Sequence, residues 1–173
     1  AGNNSMMYTL PAIVDGVTLA ASYSPGGTGG KSATAYSIAY TGIEGLTANY
    51  AVGNTETVGS EAEHTTMKLS YAYSSFTASY SNTDSETDAA SGDEEVSSYA
   101  LTYTVTDDIS VTYGAEEIET EGQAVDEEAE KISVSYTTGG VTLSATQYSF
   151  ENVGNSASAT DTERWSIGAT FAF

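Results

Sequence analysis

The basic side chains are the scarcest chemistry-bearing groups in this sequence. Lys31, Lys68, Lys131 and Arg164 stand against 24 Asp and Glu residues, for a formal charge of −20. Each lies where an alternating segment meets a polar connection, on the polar parity of that segment. Cations placed this way could form a track facing acidic groups across water, a transverse field that sorts solutes by charge and dipole. The ordinary alternative is that a rare Lys or Arg near a strand end turns toward whichever side is wet. The carboxylates are crowded, with Asp93, Glu94 and Glu95 in one run and Asp126, Glu127, Glu128 and Glu130 in another. Such runs suit hard cations and could hold Ca2+ or Mg2+ loosely. They lack the Asp-x-Asp spacing with Gly of a calcium loop, so no dedicated metal site or cofactor is expected. They also raise the local cation concentration, which implies a weak preference for cations.

Other chemistries are excluded by what is missing. His64 is the sole histidine, so neither a multi-His metal site nor a relay can be built. A Ser–His–acid triad would rest on that one residue, with no Gly-x-Ser-x-Gly elbow nearby. Gly26, Gly27, Thr28, Gly29 and Gly30 are not followed by Gly-Lys-Thr or a helix, so they are no phosphate loop. No enzyme is expected. Four basic residues cannot neutralise a phosphate backbone, which argues against nucleic acid as a partner. Without Cys there is no disulfide framework and no thiolate metal site.

The elements that carry these residues are strands. Period-two alternation predicts about eleven of them over 173 residues. The clearest puts Trp165, Ile167, Ala169, Phe171 and Phe173 on one face and Ser166, Gly168, Thr170 and Ala172 on the other. Met67, Leu69, Tyr71 and Tyr73 likewise oppose Lys68, Ser70, Ala72 and Ser74. Tyr99, Leu101, Tyr103 and Val105 oppose Ala100, Thr102 and Thr104. Ile132, Val134 and Tyr136 oppose Ser133 and Ser135. No helical stripe of useful length interrupts this pattern, so the chain is all β.

The polar face decides which kind of β protein this is. It carries Ser, Thr, Ala and Gly rather than the Lys, Glu and Arg that keep a soluble sandwich in solution. A barrel in lipid reverses the arrangement, with apolar residues outward and small polar ones around water. Tyr71, Tyr73, Tyr103, Tyr136, Trp165, Phe171 and Phe173 suit its aromatic girdles. Tight turns near residues 15–16, 42–45, 74–75, 107–108 and 139–140 alternate with long connections, expected at 25–31, 53–64, 81–95, 115–130 and 151–163. Every acidic residue falls in one of these connections or turns. Asp and Glu are thus kept from the bilayer midplane, where a charge is costly. These patterns predict a transmembrane antiparallel up-and-down β-barrel in the cell outer membrane, forming a single domain over residues 1–173. Lipid and lipopolysaccharide are its expected surroundings.

The terminal run from Trp165 to Phe173 resembles the C-terminal signature of bacterial outer-membrane barrels. The segment from Asn4 to Leu19, with Tyr8, Pro11 and Gly16, is similar to a strand-turn-strand stretch of Gram-negative general porins. The resemblance implies a water-filled channel for passive diffusion of ions and small hydrophilic solutes, assembled as a homotrimer. It also implies a parent barrel of about sixteen strands, of which this chain is the C-terminal part. Residues 1–4 would then be the tail of the constriction loop, with the rest of that loop and the first strands outside this sequence.

Two other functions are compatible with the pattern. One is an outer-membrane barrel serving as an adhesin or translocator, and the other a soluble acidic β-sandwich used at the cell surface. One segment departs from strict alternation. Val141, Leu143 and Ala145 set an apolar parity that puts Gln147 outward and Tyr148 and Phe150 inward. A β-bulge at residues 146–148 would restore the pattern, and a subunit-interface position for Gln147 is the other solution.

Overall fold

A computed structural model describes residues 5–11, 13–26, 31–57, 59–88 and 92–172. Phe173, residues 1–4 and residues 27–30, for which roles were expected above, lie outside the described residues. The rest forms eleven strands and no helix: β1 (Met6–Thr9), β2 (Val17–Ser24), β3 (Ser32–Tyr40), β4 (Leu46–Thr57), β5 (Ser60–Tyr73), β6 (Phe76–Thr87), β7 (Glu94–Thr106), β8 (Ile109–Thr120), β9 (Glu127–Thr138), β10 (Val141–Glu151) and β11 (Thr162–Phe171). They make one antiparallel up-and-down sheet in sequence order, with β1 and β11 at its ends. By backbone proximity the chain divides into two compact units. The first comprises Ala1–Ser70, Ser81–Glu95 and Thr120–Gly122, and the second Tyr71–Tyr80, Val96–Glu119 and Gln123–Phe173.

No described apolar side chain is buried. Directly opposed residues on neighbouring strands share a face, so the registers fix which side chains stand together. In the second unit, Ile109 faces Tyr136 and Val111 faces Val134. Leu143 lies between Tyr136 and Ala169, and Ala145 between Val134 and Ile167. This sheet face is apolar and open, with Ile167 86% and Phe171 61% exposed. In the first unit the same holds for Leu19 opposite Ile38 and Ile38 opposite Tyr50. The opposite face is held by hydroxyl pairs. Thr102 and Thr112 meet at 2.8 Å, Thr137 and Thr142 at 2.9 Å, and Thr66 and Thr83 at 3.3 Å. A soluble sandwich would place the apolar face against a second layer, and no such core exists among the described residues.

The strands run further than the sequence pattern indicates. β4 absorbs residues 53–57 and β5 absorbs residues 60–64 of the connection expected at 53–64. β6 and β7 reduce the 81–95 connection to residues 88–93, and β8 and β9 reduce the 115–130 connection to residues 121–126. Glu94, Glu95, Glu127, Glu128 and Glu130 are therefore strand residues rather than loop residues, while Asp93 and Asp126 remain in connections. The reason is geometric. A 12-residue strand is about 40 Å long at roughly 3.3 Å per residue, and tilted by about 40° it still exceeds the apolar band of about 25 Å. Beyond that band both faces meet water, so the backbone ladder continues while hydrophobic alternation stops. At the other end the connections are tight. Gly139 and Gly140 take φ of 55° and 81°, the positive pair that a two-residue hairpin turn requires.

The two faces make different demands on a charge. Val134→Arg, on the apolar face, should destabilise the folded protein in lipid vesicles by about 2–4 kcal/mol. Ser135→Arg, one residue away on the hydroxyl face, should cost far less. Urea titration followed by tryptophan fluorescence measures both.

Candidate pore face and its charges

The registers of β8 to β11 arrange side chains into rows across four strands. On the apolar face one row reads Tyr113, Ile132, Gln147 and Trp165. The next row toward the long connections reads Ala115, Glu130, Ser149 and Glu163, and the row beyond it brings Glu117, Glu128 and Glu151 side by side. Polarity changes at the aromatic row. Tyr113 marks the boundary by donating its hydroxyl to Glu130 Oε1 at 2.6 Å. Tyr99 packs against Tyr113 at 6.4 Å, and the Tyr80 hydroxyl reaches Ser97 Oγ at 3.5 Å. At the tight-turn end Phe76 stacks on Tyr103 at 4.7 Å and Tyr71 on Tyr73 at 6.4 Å. Tyr71, Tyr73, Tyr103, Tyr136, Trp165 and Phe171 all stand exposed on this face. Sequence reasoning left Phe76, Tyr80, Tyr99 and Tyr113 out of the aromatic set, although their parity already placed them there.

No bulge interrupts β10. Its register is one-to-one from Val141 to Phe150 against β11 and from Val141 to Glu151 against β9. Gln147 therefore stays on the apolar face, half-buried between Ile132 and Trp165. Its amide sits one row below the carboxylates, at the aromatic boundary, where a polar group costs little. Tyr148 and Phe150 stay on the hydroxyl face.

Strand by strand, the charges separate between the faces. Glu56, Glu61, Glu63, Asp84, Glu86, Glu95, Glu117, Glu119, Glu128, Glu130, Glu151 and Glu163 carry the parity of the apolar side chains in their strands. Glu94, Glu116 and Glu127 carry the hydroxyl parity, as do Lys68, Lys131 and Arg164. Several outward carboxylates are held by neighbours. Glu61 accepts from Asn54 Nδ2, Glu95 from Asn82 Nδ2 at 2.6 Å, and Glu56 from Ser32 Oγ at 3.3 Å.

Two of the four basic residues share a row of one unit. Lys131 and Arg164 flank Tyr148, which opposes both of them directly. Lys131 also opposes Gly114, and its Cε lies 3.1 Å from where a Gly114 Cβ would stand. Lys68 lies on β5 and Lys31 just before β3, both exposed and both in the other unit. Above the Lys131–Arg164 row, the 152–161 connection is pinned to the strand ends. Asn155 Nδ2 donates to the Ile118 carbonyl at 2.8 Å, Asn152 Nδ2 to the Asp126 carbonyl at 3.1 Å, and the Gly154 N–H to Glu127 Oε2 at 2.7 Å. His64 stands on the hydroxyl parity of β5 and is exposed. Among the described residues no group of three or more acidic or His side chains could hold a metal ion, Asp126, Glu127, Glu128 and Glu130 included.

A long up-and-down antiparallel sheet with an exposed apolar face bounded by aromatic rows, and a hydroxyl-rich face opposite, defines the class of outer-membrane β-barrels. The sequence matches Gram-negative porins over residues 1–173, and the chain belongs to that family. No curated protein matches it. Among solved structures it is similar to the outer-membrane-expressed OmpT of Vibrio cholerae, with a TM-score of 0.69, 18% identity, and coverage of 96% of this chain and 64% of that one. An anion-selective porin from Comamonas acidovorans gives a TM-score of 0.69 at 16% identity, covering 86% of this chain and 49% of that chain. A third porin structure gives 0.74 at 14% identity, covering 96% and 60%. The chain spans a little under two thirds of the solved structures it matches most fully among these. The family places it in the outer membrane.

The row Glu117, Glu128, Glu151 sets like charges directly opposite one another, which weakens strand pairing by roughly 0.2–1 kcal/mol per pair. Glu128→Gln, at the centre of the row, should therefore raise the urea midpoint of the folded protein in low salt. The gain should shrink at high ionic strength, where these charges are screened.

Proposed function

We propose that the chain forms wall of a water-filled channel through which ions and small hydrophilic solutes diffuse passively. The reversed polarity of the sheet carries this reading. Exposed Trp165, Ile167 and Phe171 suit lipid, and the Ser and Thr rows behind them suit water. The aromatic rows then act as girdles at the two bilayer interfaces, and the carboxylates outside them lie at the level of lipid and lipopolysaccharide headgroups. A diffuse shell of Ca2+ or Mg2+ would offset repulsion among those carboxylates without a dedicated site. One solved form of the Vibrio cholerae protein is described as a trimer, and a homotrimer is the assembly we favour here. The reading is non-enzymatic: His64 is the one histidine in the sequence, so a Ser–His–acid triad would rest on that residue alone.

Ion preference follows from where the charges face. The formal charge of −20 favours cations at the mouth. Most strand carboxylates, however, share the lipid-side parity, while Lys68, Lys131 and Arg164 share the water-side parity. We therefore favour a cation preference that is weak, set by the connections rather than by the wall. Planar-bilayer recording of the detergent-purified protein checks both points. Discrete current steps are expected, with a small reversal potential of cationic sign in a KCl gradient. A protein that stays soluble without detergent and adds no conductance would contradict the channel.

A further inference from the structure

The hydroxyl face of β8 to β11 is uniform except in one place. Its rows read Thr112, Ser133, Thr146, Ser166 and then Ser110, Ser135, Ser144, Gly168. The next row toward the long connections is Gly114, Lys131, Tyr148, Arg164, and Phe150 stands beyond Tyr148 between Ala129 and Thr162. Tyr148 and Phe150 are stacked, with ring centres 6.0 Å apart and planes inclined by 10°. Both are half-buried, on the side of the sheet that otherwise carries small polar groups. A continuous one-to-one register holds them there.

The row combines two kinds of recognition. Lys131 and Arg164 are separated by two inter-strand spacings, about 10 Å, with an aromatic ring midway. Gly114 leaves room for the Lys131 stem, whose Cε lies 3.1 Å from where a Gly114 Cβ would stand, so that side chain leans toward β8. Arg164 offers a planar fork that matches a carboxylate, and the stacked rings offer a flat apolar surface to another ring. Two carboxylates stand on this face nearby. Glu116 lies one row further out, and Glu127 two rows out, where the Gly154 N–H occupies one of its oxygens. The 152–161 connection is tied to Ile118, Asp126 and Glu127, further along the strands than the aromatic pair.

We propose that Lys131, Tyr148, Phe150 and Arg164 form a binding subsite for solutes that carry a carboxylate on a ring. The ring lies on Tyr148 and Phe150, and the carboxylate pairs with Arg164 or bridges toward Lys131. The subsite deepens the channel reading and rests on it, because the hydroxyl face must border water for a solute to arrive. A sugar acid and an aromatic acid share this chemistry, and the choice of probes separates them.

Saturation-transfer NMR on the detergent-solubilised protein tests the subsite directly, with D-glucuronate, benzoate, D-glucose and acetate as probes. Glucuronate or benzoate should bind at least ten-fold more tightly than both glucose and acetate, and the better of the two names the ring class. Arg164→Gln should weaken that binding at least five-fold and Tyr148→Ser by a similar factor, whereas Glu163→Gln on the opposite face should leave it unchanged. Equal titration by all four probes, or Arg164→Gln binding like the parent, would overturn the proposal. Conductance recorded on the same preparations separates the two readings. Channels without selective binding sink the subsite alone, and selective binding without channels supports the subsite while removing the channel.

Discussion

A polypeptide in hydrocarbon must pair every backbone N–H and C=O internally, because no water is present to accept or donate. An extended chain meets that demand only through its neighbours, so each strand depends on the strand beside it. The order from β1 to β11 without a crossover is the simplest arrangement that supplies such neighbours. Once the backbone is paired this way, period two assigns alternate side chains to opposite solvents. The apolar side chains then need no core, and none is buried among the described residues. Their exposure is the expected state of a sheet whose surroundings on one side are lipid.

The same alternation explains where charge is tolerated. Within the apolar band of β8 to β11 the lipid-side parity carries aliphatic and aromatic groups, with Gln147 in the aromatic boundary row. One row beyond Tyr113 and Trp165 it carries Glu130 and Glu163, and one row further Glu117, Glu128 and Glu151. The Tyr113 hydroxyl joins the two environments through Glu130. On the opposite parity the charges balance, with Lys68, Lys131 and Arg164 against Glu94, Glu116 and Glu127. The apolar parity thus carries more of the large negative total than the hydroxyl parity does.

The strand interiors were legible in the sequence because lipid and water impose opposite preferences on adjacent residues. Val134 and Ser135, or Ile167 and Ser166, leave no doubt about face. The strand ends were not legible. From Glu127 to Glu130 or from Glu61 to His64 both faces meet water, so alternation carries no hydrophobic signal although the backbone ladder continues. Carboxylates that read as loop residues are strand residues for that reason. Tyr148 and Phe150 misled in a related way. Pattern reasoning leaves open a bulge that would move the rings to the apolar face, yet ten consecutive pairs with β11 keep them among the hydroxyls. The pairing of Lys131 and Arg164 about Tyr148 depends on registers between three strands, which no single-strand pattern encodes.

The account depends on the two faces of one strand meeting different solvents. The chain has no cysteine, so single cysteines at each position from 131 to 137 on β9 can carry nitroxide labels in lipid vesicles. Collision rates with oxygen, which concentrates in hydrocarbon, and with a water-soluble nickel chelate then report each environment. Labels at 132, 134 and 136 should favour oxygen, and labels at 131, 133, 135 and 137 the chelate. Equal accessibility at neighbouring positions, or the reverse alternation, would contradict the assignment of lipid and water to the two sides of the sheet.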